Sequence, residues 1–519
     1  MKLRILACLA AAALYALALP PFGWTVLGWL TLVPLLLAVR DRSSRAAFGH
    51  GLLFGTAGCM AVAWWLPQAA VRYLELSWPL AILGLLAFAI VLTAPTVGLF
   101  AAGAASILRG RNPLGARLAV AALWTATELF RARVLGQPWG LLGHSQHAHP
   151  CLIQVAAVTG VYGISFLLAL GNVALADALV LIRAGRGLRA AATALALPAA
   201  LTAAVALGGA LATAGDSEAV ATQPVMVVQT NVPPAYRWTE AYAERQLGAH
   251  LAASEAGTRT AHPALIVWPE HAVTEYLESQ PMIAAELATF ARRHHTDLLF
   301  GVPRYADGHT FNSTRLITAA GQNGGHYDKR HLVLFAERHP FQAPAPGGLS
   351  ENPEEFTAGT EPGVLQSFVP LGVSICHEIL YPELIRDDVL AGASLLVNVS
   401  NDGWVDGGYG TAGPQHLAMA IFRAVETRRY LVRAATTGIS GVIDPYGRVV
   451  AQLAAGSSGV VTAPVAGRSE LTPYVRMGDA FAFGCALVAV AALRARRRRA
   501  RVARPHFTVV PGAVPQPVG

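Results

Sequence analysis

Apolar positions along this chain fall into two regimes. Up to about residue 215 they form long runs with few charges, of the length that a helix needs to cross hydrocarbon, about 20 residues. Such runs lie at 3–20, 22–39, 47–67, 78–108, 117–132, 155–182 and 190–213, and a shorter one follows at 480–493. The run 78–108 is long enough to tilt, or to break near Pro95. Between the long runs, the stretch 216–470 has a different rhythm. Short apolar runs at 223–231, 263–268, 297–302, 368–375, 393–399 and 430–436 alternate with helical patterns at 238–256, 281–295 and 414–429. Near-continuous apolar strands separated by helices predict an α/β layered domain with buried sheets.

The pattern divides the chain into a transmembrane domain of about seven helices (1–215), a water-facing domain (216–470), a last membrane helix (476–495) and a basic tail (496–519) whose composition predicts disorder. Composition agrees. Charged residues are 13% of the 519 positions and hydrophobic residues 54%, whereas a soluble domain carries roughly a quarter charged residues. The opening Met1-Lys2-Leu3-Arg4 and its apolar run resemble a secretory signal, but the apolar runs that follow at once favour a retained helix. The formal charge of +8 comes almost wholly from arginine, and lysine occurs only at Lys2 and Lys329. The arginines cluster between apolar runs, at Arg40–Arg45, Arg109–Arg117 and Arg183–Arg189, and after the last one. Anionic headgroups explain that placement better than nucleic acid does. With the N-terminus inside, every cluster falls on the cytoplasmic side and 216–470 falls outside.

Of the cysteines, Cys8, Cys59, Cys151 and Cys485 lie in or beside apolar runs, and only Cys376 lies in the water-facing stretch. A disulfide framework is therefore not expected. Three segments there carry chemistry. Ile266-Val267-Trp268-Pro269-Glu270 is a buried-type strand that stops at proline and presents an acid, either a functional carboxylate or a plain cap. Tyr327-Asp328-Lys329-Arg330-His331 holds a lysine in a chain that otherwise uses arginine. That is either a position wanting a compact ammonium or a retained surface lysine. Gly372-Val373-Ser374-Ile375-Cys376-His377-Glu378 ends an apolar strand on a thiol, and Tyr381-Pro382-Glu383-Leu384 opens a helix. Helix N-terminal amides there would lower a thiol pKa and bind an oxyanion, although most free cysteines are inert and buried. Consecutive Cys376, His377 and Glu378 do not converge on one ion, so no metal is expected.

Taken together, a glutamate, a lysine and a cysteine in that order at strand ends resemble the nitrilase (carbon–nitrogen hydrolase) superfamily. Within it the chain is most similar to the bacterial apolipoprotein N-acyltransferase family. The resemblance rests on Trp268-Pro269-Glu270, on Lys329-Arg330-His331-Leu332-Val333 with Phe335 and Glu337, and on Cys376-His377-Glu378. It also rests on Asn398-Val399-Ser400-Asn401-Asp402-Gly403-Trp404 with Gln415-His416, and on Gln137-Pro138-Trp139 with Gly143-His144-Ser145-Gln146 on an outer loop. It covers the chain apart from the arginine tail. The implied fold is a polytopic α-helical membrane domain plus an α/β nitrilase-like domain, an αββα layered sandwich. The resemblance puts catalysis on Glu270, Lys329 and Cys376, support on Glu337 and Glu378, and substrate contacts on Trp238 and Trp404. His377 stands where the family often has tyrosine, and the run Val405–Tyr409 departs from the usual spacing.

The implied chemistry is ping-pong. Glu270 activates Cys376, which takes an acyl chain from a membrane glycerophospholipid as a thioester. The α-amine of a diacylglyceryl-modified apolipoprotein then removes it. Lys329 and the His377 N–H would stabilise the oxyanion. No cofactor is implied, and the protein is expected to be a monomer in the bacterial cytoplasmic membrane. A membrane-anchored amidase shares the same residues, but the preceding helices favour lipid chemistry. A transporter would need more ionisable groups within its helices than Glu128 and its few companions. An inactive scaffold would not keep all three residue types. Gating by the Pro/Gly-rich stretch 341–355 is a further expectation.

Overall fold

The computed structural model describes residues 2–110, 113–214, 221–233, 238–334, 336–338, 356–403, 410 and 412–502. Helices occupy each apolar run: Lys2–Ala18, Val33–Val39 after a 3-10 turn, Ser44–Val62, Trp78–Leu108, Pro113–Arg133, Val161–Arg183, Gly187–Ala214 and Ala480–Val502. Among the described residues, Trp78–Leu108, Val161–Arg183 and Gly187–Ala214 are long and apolar enough to cross a membrane. Ser44–Val62 and Trp65–Arg72, bent by 56°, make a fourth if the pair is one span. The others are shorter or more charged: Lys2–Ala18 has 17 residues, and Pro113–Arg133 carries Arg117, Glu128, Arg131 and Arg133. So much apolar helix marks a membrane protein. Near Pro95 the expected tilt or break takes the form of a π-helical turn, Ala89–Thr93, inside one helix. Proline cannot donate to the ladder, and a widened turn before it keeps its ring clear of the preceding carbonyl. The last helix starts at Ala480 and runs to Val502, into the stretch expected to be disordered.

The second half folds around twelve strands in two six-stranded sheets. The first sheet contains β1 (Gln223–Gln229), β2 (Leu265–Val267), β3 (Asp297–Ala306), β4 (His309–Ile317), β5 (Asn323–Asp328) and β12 (Gly459–Val465), in the order β12-β1-β2-β3-β4-β5. The second contains β6 (Val364–Gln366), β7 (Pro370–Ile375), β8 (Leu395–Ser400), β9 (Leu431–Ala435), β10 (Ser440–Ile443) and β11 (Val449–Leu453), in the order β11-β10-β9-β8-β7-β6. In each sheet three central strands run parallel and the rest antiparallel.

Period-two alternation sorts the strand residues between layers. Val225 and Val227 point between the sheets with Val373, Ile375 and Val397. Met226 and Val228 point the other way, onto the helices Glu240–Thr258 and Pro281–His294 with Leu287 and Phe290. Leu396 and Leu431 on the outer face of the second sheet join a third cluster. It runs through Phe422 and Val425 of the helix Ala412–Thr427 to Ile153, Val161 and Leu168 of the apolar helices. The layers therefore read helix, sheet, sheet, helix, and the last layer rests on the helical domain.

One close approach shapes the site. A Cβ on Gly301 of β3 would stand 2.5 Å from Glu270 Cα and 2.5 Å from His271 N. Gly301→Ala is expected to push that turn outward and to cost about 1–3 kcal/mol, read as a lower thermal midpoint in detergent. An unchanged midpoint would mean that the turn yields freely.

Candidate active site

Four of the groups that meet here follow a strand. Glu270 comes just after β2, Lys329 directly after β5, Cys376 directly after β7 and Asn401 directly after β8. Strand ends in α/β sheets turn side chains out of the layer while the sheet fixes their backbones.

Lys329 is the centre. It is 1% exposed, and its Nζ lies 3.3 Å from Glu270 Oε1 and 2.8 Å from Glu337 Oε1. Asn312 of β4 donates from Nδ2 to the same two oxygens, at 2.8 and 2.7 Å, and its carbonyl accepts the Lys329 N–H at 2.8 Å. Glu270 Oε2 accepts the Asn401 N–H at 2.8 Å, and Glu337 Oε2 accepts the Val333 N–H at 2.8 Å. Burial alone would push the Glu270 carboxyl up, but Lys329 and these donors hold it below its ordinary value. Burial opposes the charge of Lys329 as well, and the two carboxylates outweigh it and raise its pKa. The segment thus carries a buried ammonium rather than a surface lysine.

Cys376 adopts φ 55°, the left-handed region that non-glycine residues seldom occupy. It joins β7 to the 3-10 turn Cys376–Leu380, and such an elbow lifts a side chain clear of its strand. Burial pushes its thiol up to about 12; Glu270 adds to the rise, while Lys329 opposes it. The thiol is therefore protonated at neutral pH, and the carboxylate beside it is charged.

The carboxylate of Glu378 ties the elbow to the lysine strand. It accepts the N–H groups of Ile375 (2.8 Å), Arg330 (2.7 Å) and His331 (3.0 Å) and the Tyr327 hydroxyl (2.9 Å). His377 packs in a ring cluster with His331 (5.4 Å) and Tyr381 (5.7 Å). Burial, and then the neighbouring cation Lys329, hold it well below the ordinary histidine range, so it is a neutral imidazole.

A second network lies behind the elbow. Asn398 Nδ2 donates to the Cys376 carbonyl at 3.2 Å, and Arg433 donates to Asn398 Oδ1. Arg433 Nη2 also spans Asp402, at 2.8 and 2.7 Å. Burial would raise the Asp402 carboxyl, but Arg433 and His416 hold it well below the usual carboxylate range. Sequence reading missed Asn312 and Arg433. Both are polar residues on buried strands, Asn312 on one that was not foreseen, and a buried polar side chain in a strand was the available signal.

The Trp238 ring lies tilted by 60° against His271, the residue after Glu270, with ring centres 4.9 Å apart. Trp404, Phe335, the run 405–409 and the stretch 341–355 lie outside the described residues.

Two outcomes follow. Lys329→Met would leave Glu270 and Glu337 buried without their cation. It is expected to cost about 3–5 kcal/mol, seen as a lower midpoint in thermal unfolding, and Lys329→Met/Glu337→Gln should recover part of that loss. Alkylation of Cys376 by iodoacetamide should rise about tenfold per pH unit from 7 to 10, as a thiol titrating near 12 requires. A plateau above pH 9 would contradict that environment.

Residues 11–174 match the apolipoprotein N-acyltransferase N-terminal domain, and residues 225–474 match carbon-nitrogen hydrolase. A protein of Geobacter metallireducens called apolipoprotein N-acyltransferase is 33% identical over 504 residues, covering 93% of this chain and 94% of its own. One of Pseudomonas putida is 33% identical over 518 residues, covering 95% of this chain and 97% of its own. One of Azotobacter vinelandii is 34% identical over 519 residues, covering 96% of each. With both domains matched in order and relatives aligned nearly end to end, the chain belongs to the apolipoprotein N-acyltransferase family.

Proposed function

We propose that this protein moves an acyl chain from a glycerophospholipid to the α-amine of a diacylglyceryl-cysteine on an apolipoprotein, through a thioester on Cys376. The observation that carries the reading is the continuous apolar cluster from β8, through the helix Ala412–Thr427, into the apolar helices. It packs the sheet that carries Cys376 and Asn401 against the helices that would meet lipid. Family membership supports the same activity.

The Glu270 carboxylate takes the Cys376 proton as sulfur attacks the ester carbonyl. Lys329 and the His377 N–H face the oxyanion, a contact worth about 3–4 kcal/mol per donor. Glu270 returns the proton to the departing lysophospholipid oxygen, leaving the thioester. The acceptor amine then attacks, Glu270 takes its proton, and the amide forms as Cys376 leaves and is reprotonated. Glu337 and Asn312 hold the lysine and glutamate in register, and Trp238 and Trp404 are the proposed substrate contacts. Both substrates are confined to the bilayer, which raises their effective concentration over that of water. The site lies at the outer surface of the bacterial cytoplasmic membrane, as the arginine placement supports.

The test is an intact-mass measurement on protein in detergent with labelled phospholipid and no acceptor. A hydroxylamine-labile adduct is expected on the parent, absent in Cys376→Ser and discharged by a diacylglyceryl peptide with a free amine. Ammonia release from simple amides without an adduct would favour a membrane-anchored amidase instead.

A further inference from the structure

Among the charged residues of the helical domain that the mechanism leaves unused, two hold one loop. Glu128 and Arg131 lie near the end of Pro113–Arg133 and are 1% and 7% exposed. Ionisable groups so placed are costly, and they usually mark a function. Both bind one loop. Glu128 Oε1 accepts the Leu142 N–H at 2.7 Å, and Arg131 Nη2 donates to the carbonyls of Trp139 at 3.2 Å and Gly140 at 3.0 Å.

That loop delivers Trp139 to the catalytic domain. Its ring stacks on His416, centres 5.0 Å apart and planes 27° apart, with Trp65 at 4.8 Å on Trp139. His416 Nδ1 lies 3.3 Å from Asp402 Oδ1. Asp402 follows Asn401, whose N–H holds Glu270, and shares Arg433 with Asn398, whose amide holds the Cys376 carbonyl. One line of contacts thus runs from the helical domain to both the candidate base and the candidate nucleophile.

We propose that Glu128 and Arg131 are positioning residues that seat Trp139 on His416 and, through Asp402, set the placement of Cys376 against Glu270. The helical domain is then a working part of the site as well as an anchor. This rests on the thioester reading above.

The test compares Arg131→Met, Trp139→Leu and the double variant in detergent, per mole of folded protein. Each single variant is expected to slow adduct formation about 10- to 100-fold, with lipid KM changed less than about twofold. The double variant should be no slower than the slower single one, since both act through one contact. Trp139→Phe keeps a ring on His416 and should recover most of the rate. Arg131→Lys loses the planar fork and should not. Alkylation of Cys376 needs no lipid and reads the same placement; its rate at pH 8 should shift at least about threefold in Trp139→Leu. Parental rates in Trp139→Leu, or losses that multiply in the double variant, would overturn the proposal. If Arg131→Met does not fold, Trp139→Leu decides alone. If the parent forms no adduct, the thioester reading has failed, and the alkylation rates still decide the positioning.

Discussion

An ammonium removed from water must have its charge met by the protein, and the burial of Lys329 imposes that condition on everything around it. Desolvating such an ion costs several kcal/mol, recovered only with good geometry and satisfied oxygens. Two carboxylates meet the condition here and one amide donates to both, each from a different segment: Glu270 after β2, Glu337 beyond β5 and Asn312 within β4. The backbone N–H groups of Asn401 and Val333 then satisfy the remaining carboxylate oxygens. The first sheet is thereby joined to the second through Asn401 at the end of β8. The lysine works as a structural keystone whatever its part in the chemistry.

The elbow at Cys376 needs the same kind of support. A left-handed φ on a non-glycine residue costs of order 1–3 kcal/mol and persists only where the surroundings over-determine it. Glu378 grips the backbone ahead of the elbow, and Asn398 grips its carbonyl. Glu378 also holds Arg330 and His331, so the strand that carries the lysine and the strand that carries the thiol share one carboxylate. Moving either strand alone would break bonds to the other.

How much of this the sequence disclosed follows from what each signal depends on. Glu270 and Cys376 were legible because apolar strands end on them, Leu265-Ile266-Val267 before Glu270 and Leu371, Val373 and Ile375 before Cys376, whereas Lys329 was legible because lysine is so rare in this chain. The strand β4 was not legible. Its buried positions include Asn312, Ser313 and Thr314, so hydropathy shows no period there. The short strands β10 to β12, bounded by glycine and turns, were not foreseen either. The bend between Ser44–Val62 and Trp65–Tyr73 was equally hidden, because composition alone cannot separate one bent helix from a straight span. The role of Asp402 was hidden too, because its partners Arg433 and His416 are distant in sequence and meet only in the fold.

The state of the thiol bears on why a site built like a hydrolase can hand its acyl group to an amine. Low-pKa cysteines are reactive at rest, but burial keeps Cys376 protonated, and the neighbouring Glu270 carboxylate is held charged. On the proposed mechanism the thiolate then forms only as a carbonyl arrives and Lys329 meets the growing negative charge. After acylation the same geometry works in reverse. A Glu270 carboxylate held low is a weak base toward water, whose proton is hard to remove. It suffices for an amine whose proton becomes acidic as the new bond forms. Selection for transfer would then lie in the electrostatics around Lys329 as much as in the exclusion of water. A soluble relative with the same three residues could differ in outcome through the layer beneath them, which here is made of apolar helix.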